Sequence, residues 1–183
     1  MNNTRIKASS DYAFNYTEHL VKKELDSKLI MARVGIILLS FALFGLVLFL
    51  MFGPIKIPSI AVVAVVLIIY LAMVLWSFTN IEYEYLIVSG TMSVDKIIST
   101  KKRRQIVEFN VPSAEKILPY KDAKLDGIDV IYGVSSLNAE DAYCAIFTTE
   151  KGEKKALVFN ATKKALDMLR YYNKNCVMSD SIK

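Results

Sequence analysis

Two uncharged apolar runs constrain this chain more than any other feature of it. Residues 34–52 read VGIILLSFALFGLVLFLMF and residues 59–78 read SIAVVAVVLIIYLAMVLWSF, and the one charge between 34 and 78 is Lys56. Nineteen helical residues at about 1.5 Å each extend roughly 30 Å, the hydrocarbon thickness of a bilayer. The short connection Gly53-Pro54-Ile55-Lys56-Ile57-Pro58 turns the chain back, and a proline at the first turn of the second helix gives up an amide with no helical partner. The expectation is a transmembrane helical hairpin over 34–78. No small-residue cleavage site follows the first run, so both spans are expected to stay in the mature protein.

Charge sets the expected orientation. Lys22, Lys23, Lys28 and Arg33 stand close before the first run, Lys56 alone lies in the loop, and Lys101 to Arg104 follow the second run at some distance. The expected location is the plasma membrane, multi-pass, with both termini cytoplasmic. Neither run contains Asp, Glu, Lys, Arg, His, Asn or Gln, which argues against a transport path or proton relay. Small residues Gly35, Ser40, Ala42, Gly45, Ala61, Ala64 and Ala72 allow the two helices to pack, but none forms GxxxG, and no specific dimer is indicated.

Residues 1–33 read as a cytoplasmic amphipathic segment. Within 11–33, Val21, Leu25, Leu29 and Ala32 recur at helical spacing, which predicts a lead-in helix, interfacial or docked on a partner or anionic lipid. The single histidine, His19, falls here without partners for a metal site.

Residues 79–175 change period. Ile81, Tyr83, Tyr85 and Ile87 alternate with Glu82 and Glu84, and Ser89-Gly90 supplies a two-residue turn before residues 91–98. Further strand-like runs lie at 105–111, 116–118, 129–135, 142–149 and 154–159. Asn160 reads as the N-cap of a helix over 161–173 with Ala165, Leu166, Leu169 and Tyr172 on one stripe, which also accounts for the formal sequon Asn160-Ala161-Thr162. Residues 176–183 read as a polar tail. About seven antiparallel strands followed by one amphipathic helix, in some 100 residues, resemble a pleckstrin-homology-like (PH-like) partial barrel whose helix covers the open end. A rolled α+β sheet is the alternative.

A second resemblance lies in short blocks over a third of the chain. Glu18-His19-Leu20-Val21-Lys22-Lys23, Ile81-Glu82-Tyr83-Glu84-Tyr85, and Ser89-Gly90 with Val94-Asp95-Lys96-Ile97-Ile98 and Lys101-Lys102-Arg103-Arg104 are similar to an uncharacterised family of small two-span membrane proteins of anaerobic Gram-positive bacteria. That family carries a domain-of-unknown-function label. The resemblance implies the architecture and supplies no catalytic residue. Where such proteins often have a Gly-Glu-Leu-Asp-Ile-Asp run, this chain has Gly90-Thr91-Met92-Ser93-Val94-Asp95, with fewer acids.

Candidate chemistry is sparse. Lys101, Lys102, Arg103 and Arg104 form the densest charge cluster, expected at a hairpin tip and suited to anionic lipid, to a protein partner, or to plain solvation. A two-residue turn at Ser89-Gly90 sets Glu84 opposite Asp95, a like-charge pair that needs a neighbouring Lys or Arg, a slipped register, solvation or a cation. Tyr83, Tyr85, Tyr132, Tyr143, Phe147 and Phe159 read as sheet packing. Cys144 and Cys176 lack CxxC spacing and any basic neighbour that would activate a thiol. One histidine outside the tail, and no GxSxG, P-loop, GxGxxG or HExxH motif, argue against familiar enzyme classes, so no catalytic residue, cofactor or metal is expected. Sixteen Lys or Arg against fourteen Asp or Glu after residue 78 disfavour nucleic acid. The expected function is a non-enzymatic, membrane-anchored binding or scaffold module contacting a protein partner or the inner leaflet. The alternatives are an accessory subunit acting through its hairpin and an unrecognised enzyme using Glu84 and Asp95.

Overall fold

The computed structural model describes residues 16–52, 58–99, 101–149 and 151–177. They divide into a helical unit, Leu25–Ile81 with Ile98–Lys101, and a β unit that holds the rest.

The β unit begins before the helices. Residues Tyr16–Lys22 form strand β1, where the apolar spacing predicted a helix. The same residues also satisfy a period of two: Thr17 is buried and His19 and Val21 half-buried, while Tyr16, Glu18 and Leu20 are exposed. The pairing partner decides between the two periods. β1 lies antiparallel to β2 (Ile81–Val88), with His19 opposite Tyr85 and Lys22 opposite Glu82. The chain therefore leaves β1 into two helices and returns into the neighbouring strand.

β2, β3 (Thr91–Ile98) and β4 (Lys102–Asn110) complete a sheet of order β1-β2-β3-β4. Ser89 (φ 49°) and Gly90 (φ 82°) make the expected two-residue turn, in which both central residues need positive φ. A Cβ on Gly90 would also come within 3.0 Å of the Tyr172 ring, so both backbone and packing call for glycine. A second sheet, β5-β7-β8-β6, comprises β5 (Ala114–Pro119), β6 (Asp129–Gly133), β7 (Ala142–Thr148) and β8 (Lys154–Asn160). The described residues thus carry eight strands in two sheets where seven antiparallel ones were expected. β6 runs parallel to β8.

Alternation fills the core. Tyr83, Tyr85 and Ile87 from β2, Met92 and Val94 from β3, and Phe147, Leu157 and Phe159 from β7 and β8 are all buried. Phe109 of β4 stacks on Phe147 of β7 with ring centroids 4.2 Å apart, joining the sheets. Helix α3 (Lys163–Tyr172) lays Ala165, Leu166, Met168 and Leu169 against them. Its N-cap is Thr162, whose hydroxyl accepts the Ala165 amide, and not Asn160. Cys176 and Val177, expected in the polar tail, are buried instead, and the Cys176 carbonyl accepts the Ile117 amide of β5 at 2.6 Å.

In the helical unit, α1 (Ser27–Phe52) and α2 (Pro58–Phe78) pack on each other. Each contains a window long and apolar enough to cross a membrane, and only 6% of either window is buried. A core helix of a soluble protein would be mostly covered; these present Phe41, Phe49, Val62 and Leu67 outward. Val47 and Ala61 are buried, whereas Gly35 and Gly45 face open space and take no part in close packing. The loop residues 53–57, with Lys56, lie outside the described residues.

Removing residues 1–22 strips the outer neighbour from β2. The expected result is a lower melting temperature and faster hydrogen exchange at the amides of residues 82–88, with those of β7 and β8 less affected. Unchanged exchange in β2 would count against β1 as part of the sheet.

Candidate functional site

The basic cluster begins at the hairpin tip and runs on into a strand. Lys101 occupies the turn, and Lys102, Arg103 and Arg104 are the first residues of β4, which starts three residues earlier than the sequence suggested. All four are exposed. Arg103 is drawn across the sheet surface: one guanidinium nitrogen lies 2.8 Å from each oxygen of Glu84, and its Nε lies 3.8 Å from Asp95. This arginine is the neighbouring cation that the pair Glu84 and Asp95 requires. It binds two carboxylates within the fold and differs in that from Lys101, Lys102 and Arg104.

Glu84 is the buried member of that group. Burial raises its carboxyl above the ordinary range, Arg103 opposes the rise, and the adjacent Glu18 and Asp95 add to it. Glu18 in turn accepts the Tyr16 hydroxyl.

The strand ends around Arg104 gather further cations. Lys22 and Lys23 close β1, and Lys96 lies near the end of β3. Burial, with Lys23 and Arg104 nearby, lowers the Lys96 ammonium from its usual value. Among the described residues no carboxylate lies within ion-pair distance of Lys22, Lys23, Lys96, Lys101, Lys102 or Arg104. The sequence marks the 101–104 run plainly, but Lys96 joins it only once β3 and β4 are paired.

A buried polar group ties the two sheets together. The Tyr85 hydroxyl donates to the Gly133 carbonyl and accepts the Asn160 amide at 3.3 Å. Asn160 is 1% exposed; its Oδ1 accepts the Ser135 amide at 2.7 Å and its Nδ2 donates to Asp141 at 2.7 Å. The side chain read as a cap and sequon is therefore enclosed and fully used. His19 stacks on Tyr85 at 4.6 Å and donates from Nε2 to the Asn160 carbonyl at 2.9 Å, leaving Nδ1 buried and without a partner. Its neutral form fits this setting, because protonation would place an unpaired N–H in the interior. This cluster braces the fold and offers no open position to a substrate.

Cys144 and Cys176 are buried, and burial pushes each thiol up to about 11. Most of the aromatic residues pack as expected, but Tyr132 is 50% exposed and joins Tyr120, Lys121, Asp126 and Leu137 around an open cavity of about 550 Å³. The helical unit has its own polar end. Arg33 donates from Nε to Thr79 Oγ1 at 3.0 Å and from Nη2 to Asn80 Oδ1 at 3.2 Å, with its guanidinium 4.9 Å from the Trp76 ring centroid.

Two antiparallel-rich sheets closed by a C-terminal helix define a PH-like domain. The family model of the bacterial PH-like domain (DUF6106) matches residues 14–179, and the chain belongs to that family. The match runs through both apolar helices, so the excursion between β1 and β2 falls within it. No curated protein and no solved structure matches the chain.

Replacing Arg103 with Ala leaves Glu84 and Asp95 facing each other without a cation. The expected loss is about 1 kcal/mol, limited because Arg103 is largely solvent-exposed, and adding Asp95→Asn should restore part of it in a thermal melt. For His19, burial holds the folded imidazole below 6.5. As pH falls, the unfolded chain takes up the proton first, so stability that is complete above 6.5 declines towards the lower folded value. Melting temperatures measured between about pH 7.5 and 5.5 should fall for the wild type more steeply than for His19→Gln.

Proposed function

We propose that this protein is a membrane-anchored binding module whose helical hairpin crosses the plasma membrane twice, with both termini cytoplasmic, and whose PH-like unit engages the anionic inner leaflet. One observation carries the leaflet contact. Lys22, Lys96, Lys102 and Arg104, with Lys23 just past β1, have no carboxylate within ion-pair distance among the described residues and lie at the strand ends next to which the chain enters α1 and leaves α2. Only residues 23–26 separate β1 from α1, and two residues separate α2 from β2, a reach of at most about 14 Å. If the helices span the bilayer, those cations lie within reach of its headgroups, where each contributes on the order of 1 kcal/mol. The cations that flank the first apolar run support the cytoplasmic side.

The action is binding rather than catalysis. Three features support this reading: the histidine is committed to Asn160 and Tyr85, burial raises both thiols, and Glu84 and Asp95 share Arg103.

Hydrogen exchange of the full chain in nanodiscs tests the contact. Neutral phosphatidylcholine discs should leave residues 96–104 exchanging at the rate that the pairing of β3 and β4 alone sets. Discs containing phosphatidylglycerol should protect them at low salt, and the protection should vanish in high salt and in a Lys101→Ala, Lys102→Ala, Arg104→Ala variant. Equal exchange in both lipids would dismiss the leaflet contact and turn attention to a protein partner.

A further inference from the structure

We propose that the helical hairpin is itself a binding site for one anionic phospholipid, with an acyl chain in the groove between α1 and α2 and the phosphate at Arg33 and Asn80. The proposal rests on the hairpin crossing a membrane, and it concerns a different surface from the leaflet contact of the β unit.

The first observation is a cation oriented but not neutralised. Arg33 is the last charge before the apolar run of α1, and its partners Thr79, Asn80 and Trp76 are all neutral. Among the described residues no carboxylate lies within ion-pair distance of it. A guanidinium at the edge of a low-dielectric region is costly without a counter-charge, and its planar fork matches a phosphate. Two of its five N–H groups are used by Thr79 and Asn80, and no other hydrogen-bond acceptor among the described residues takes the remaining three.

Asn80 strengthens the case. Arginine only donates, so the Asn80 side chain must present its oxygen to Arg33, which leaves the amide nitrogen as a second donor at the same point. Asn80 also lines the mouth of the groove.

The groove supplies the apolar half. A cavity of about 490 Å³ runs from Asn80 and Trp76 past Ile36, Ser40, Ala72 and Met73. A second, of about 330 Å³, continues it along Ser40, Ala72 and Met73 to Phe44 and Ile68. The small side chains Ser40 and Ala72 leave this space, and the Ser40 hydroxyl is satisfied by the Ile36 carbonyl at 2.8 Å, so the wall offers no open polar group. From Asn80 to Ile68 along α2 is about 18 Å, close to the ~15 Å depth of one leaflet. A slot of this volume suits a hydrocarbon chain, whereas a transmembrane helix is about 10 Å across and would pack over the ridges instead. A polar mouth with a spare positive charge above an apolar slot one leaflet deep selects an amphiphile with an anionic head.

The test uses the full chain extracted in mild detergent and exchanged into mixtures of phosphatidylglycerol and phosphatidylcholine, with retained lipid read by native mass spectrometry. The expected result is one phospholipid per chain, with phosphatidylglycerol favoured by about tenfold at equal supply. Arg33→Gln should abolish the preference, and Arg33→Lys should keep part of it. Ala72→Phe, which fills the slot and leaves Arg33 in place, should lose the retained lipid while circular dichroism reports unchanged helicity. Equal retention of the two lipids, or selectivity that survives Arg33→Gln, overturns the proposal. A second protein chain retained at the groove in place of lipid overturns it as well. Carbonate washing of cell membranes separates the two levels. A chain released into the wash sinks the membrane-spanning reading, whereas a chain that resists it but retains no selective lipid sinks only the lipid site.

Discussion

Pairing between β1 and β2 is the contact on which the rest of the molecule depends. Lys22 stands opposite Glu82 even though both apolar helices lie between them in the chain. A loop of that length is entropically costly to close if it is flexible, and much less so if it is two stiff helices that return to where they started. The helical hairpin thus replaces the turn of a β-hairpin. Because the two strands are neighbours, the points at which the chain leaves for α1 and returns from α2 are fixed to one end of one sheet.

The β unit spends its buried polar groups on holding the two sheets in register. Tyr85 comes from β2, Gly133 from β6 and Asn160 from β8, and their hydrogen bonds leave little freedom for one sheet to slide over the other. His19 adds β1 to the same cluster. A polar network enclosed in an apolar core is favourable only when nearly every group is satisfied, and among the described residues the exception is one imidazole nitrogen that can stay unprotonated. The residues that look most reactive in the sequence are therefore those most firmly used as structure.

Charges divide along the same line. Arg103 is consumed by Glu84 and Asp95, so the four-residue basic run contains one structural cation and three that face outward. Arg33 follows neither pattern, since it is held in place by neutral partners and keeps its charge. The difference lies in what surrounds each guanidinium rather than in the residue type.

Much of this was legible in the sequence for simple reasons. Uncharged runs of span length, the period-two alternation of residues 81–87, the Ser89-Gly90 turn and the stripe of α3 are local patterns, and local patterns survive without knowledge of partners. That Glu84 and Asp95 face each other could also be read from the turn alone, but not that Arg103 would be what relieves them. What the sequence could not decide was whatever depends on a distant partner. Residues 16–22 fit a helix and a strand equally, and only the free edge of β2 selects the strand. Asn160 has the chemistry of a cap, yet Tyr85, Ser135 and Asp141 converge on it and the cap passes to Thr162. Lys96 joins the basic group, and Arg33 meets Asn80 at the mouth of a groove, only through contacts between elements far apart in the chain. Composition and periodicity determined that this protein has two apolar helices and a small β domain. Tertiary pairing decided which polar groups would be enclosed and which would be left to meet something else, because desolvation is a property of a position in space and not of a residue in a sequence.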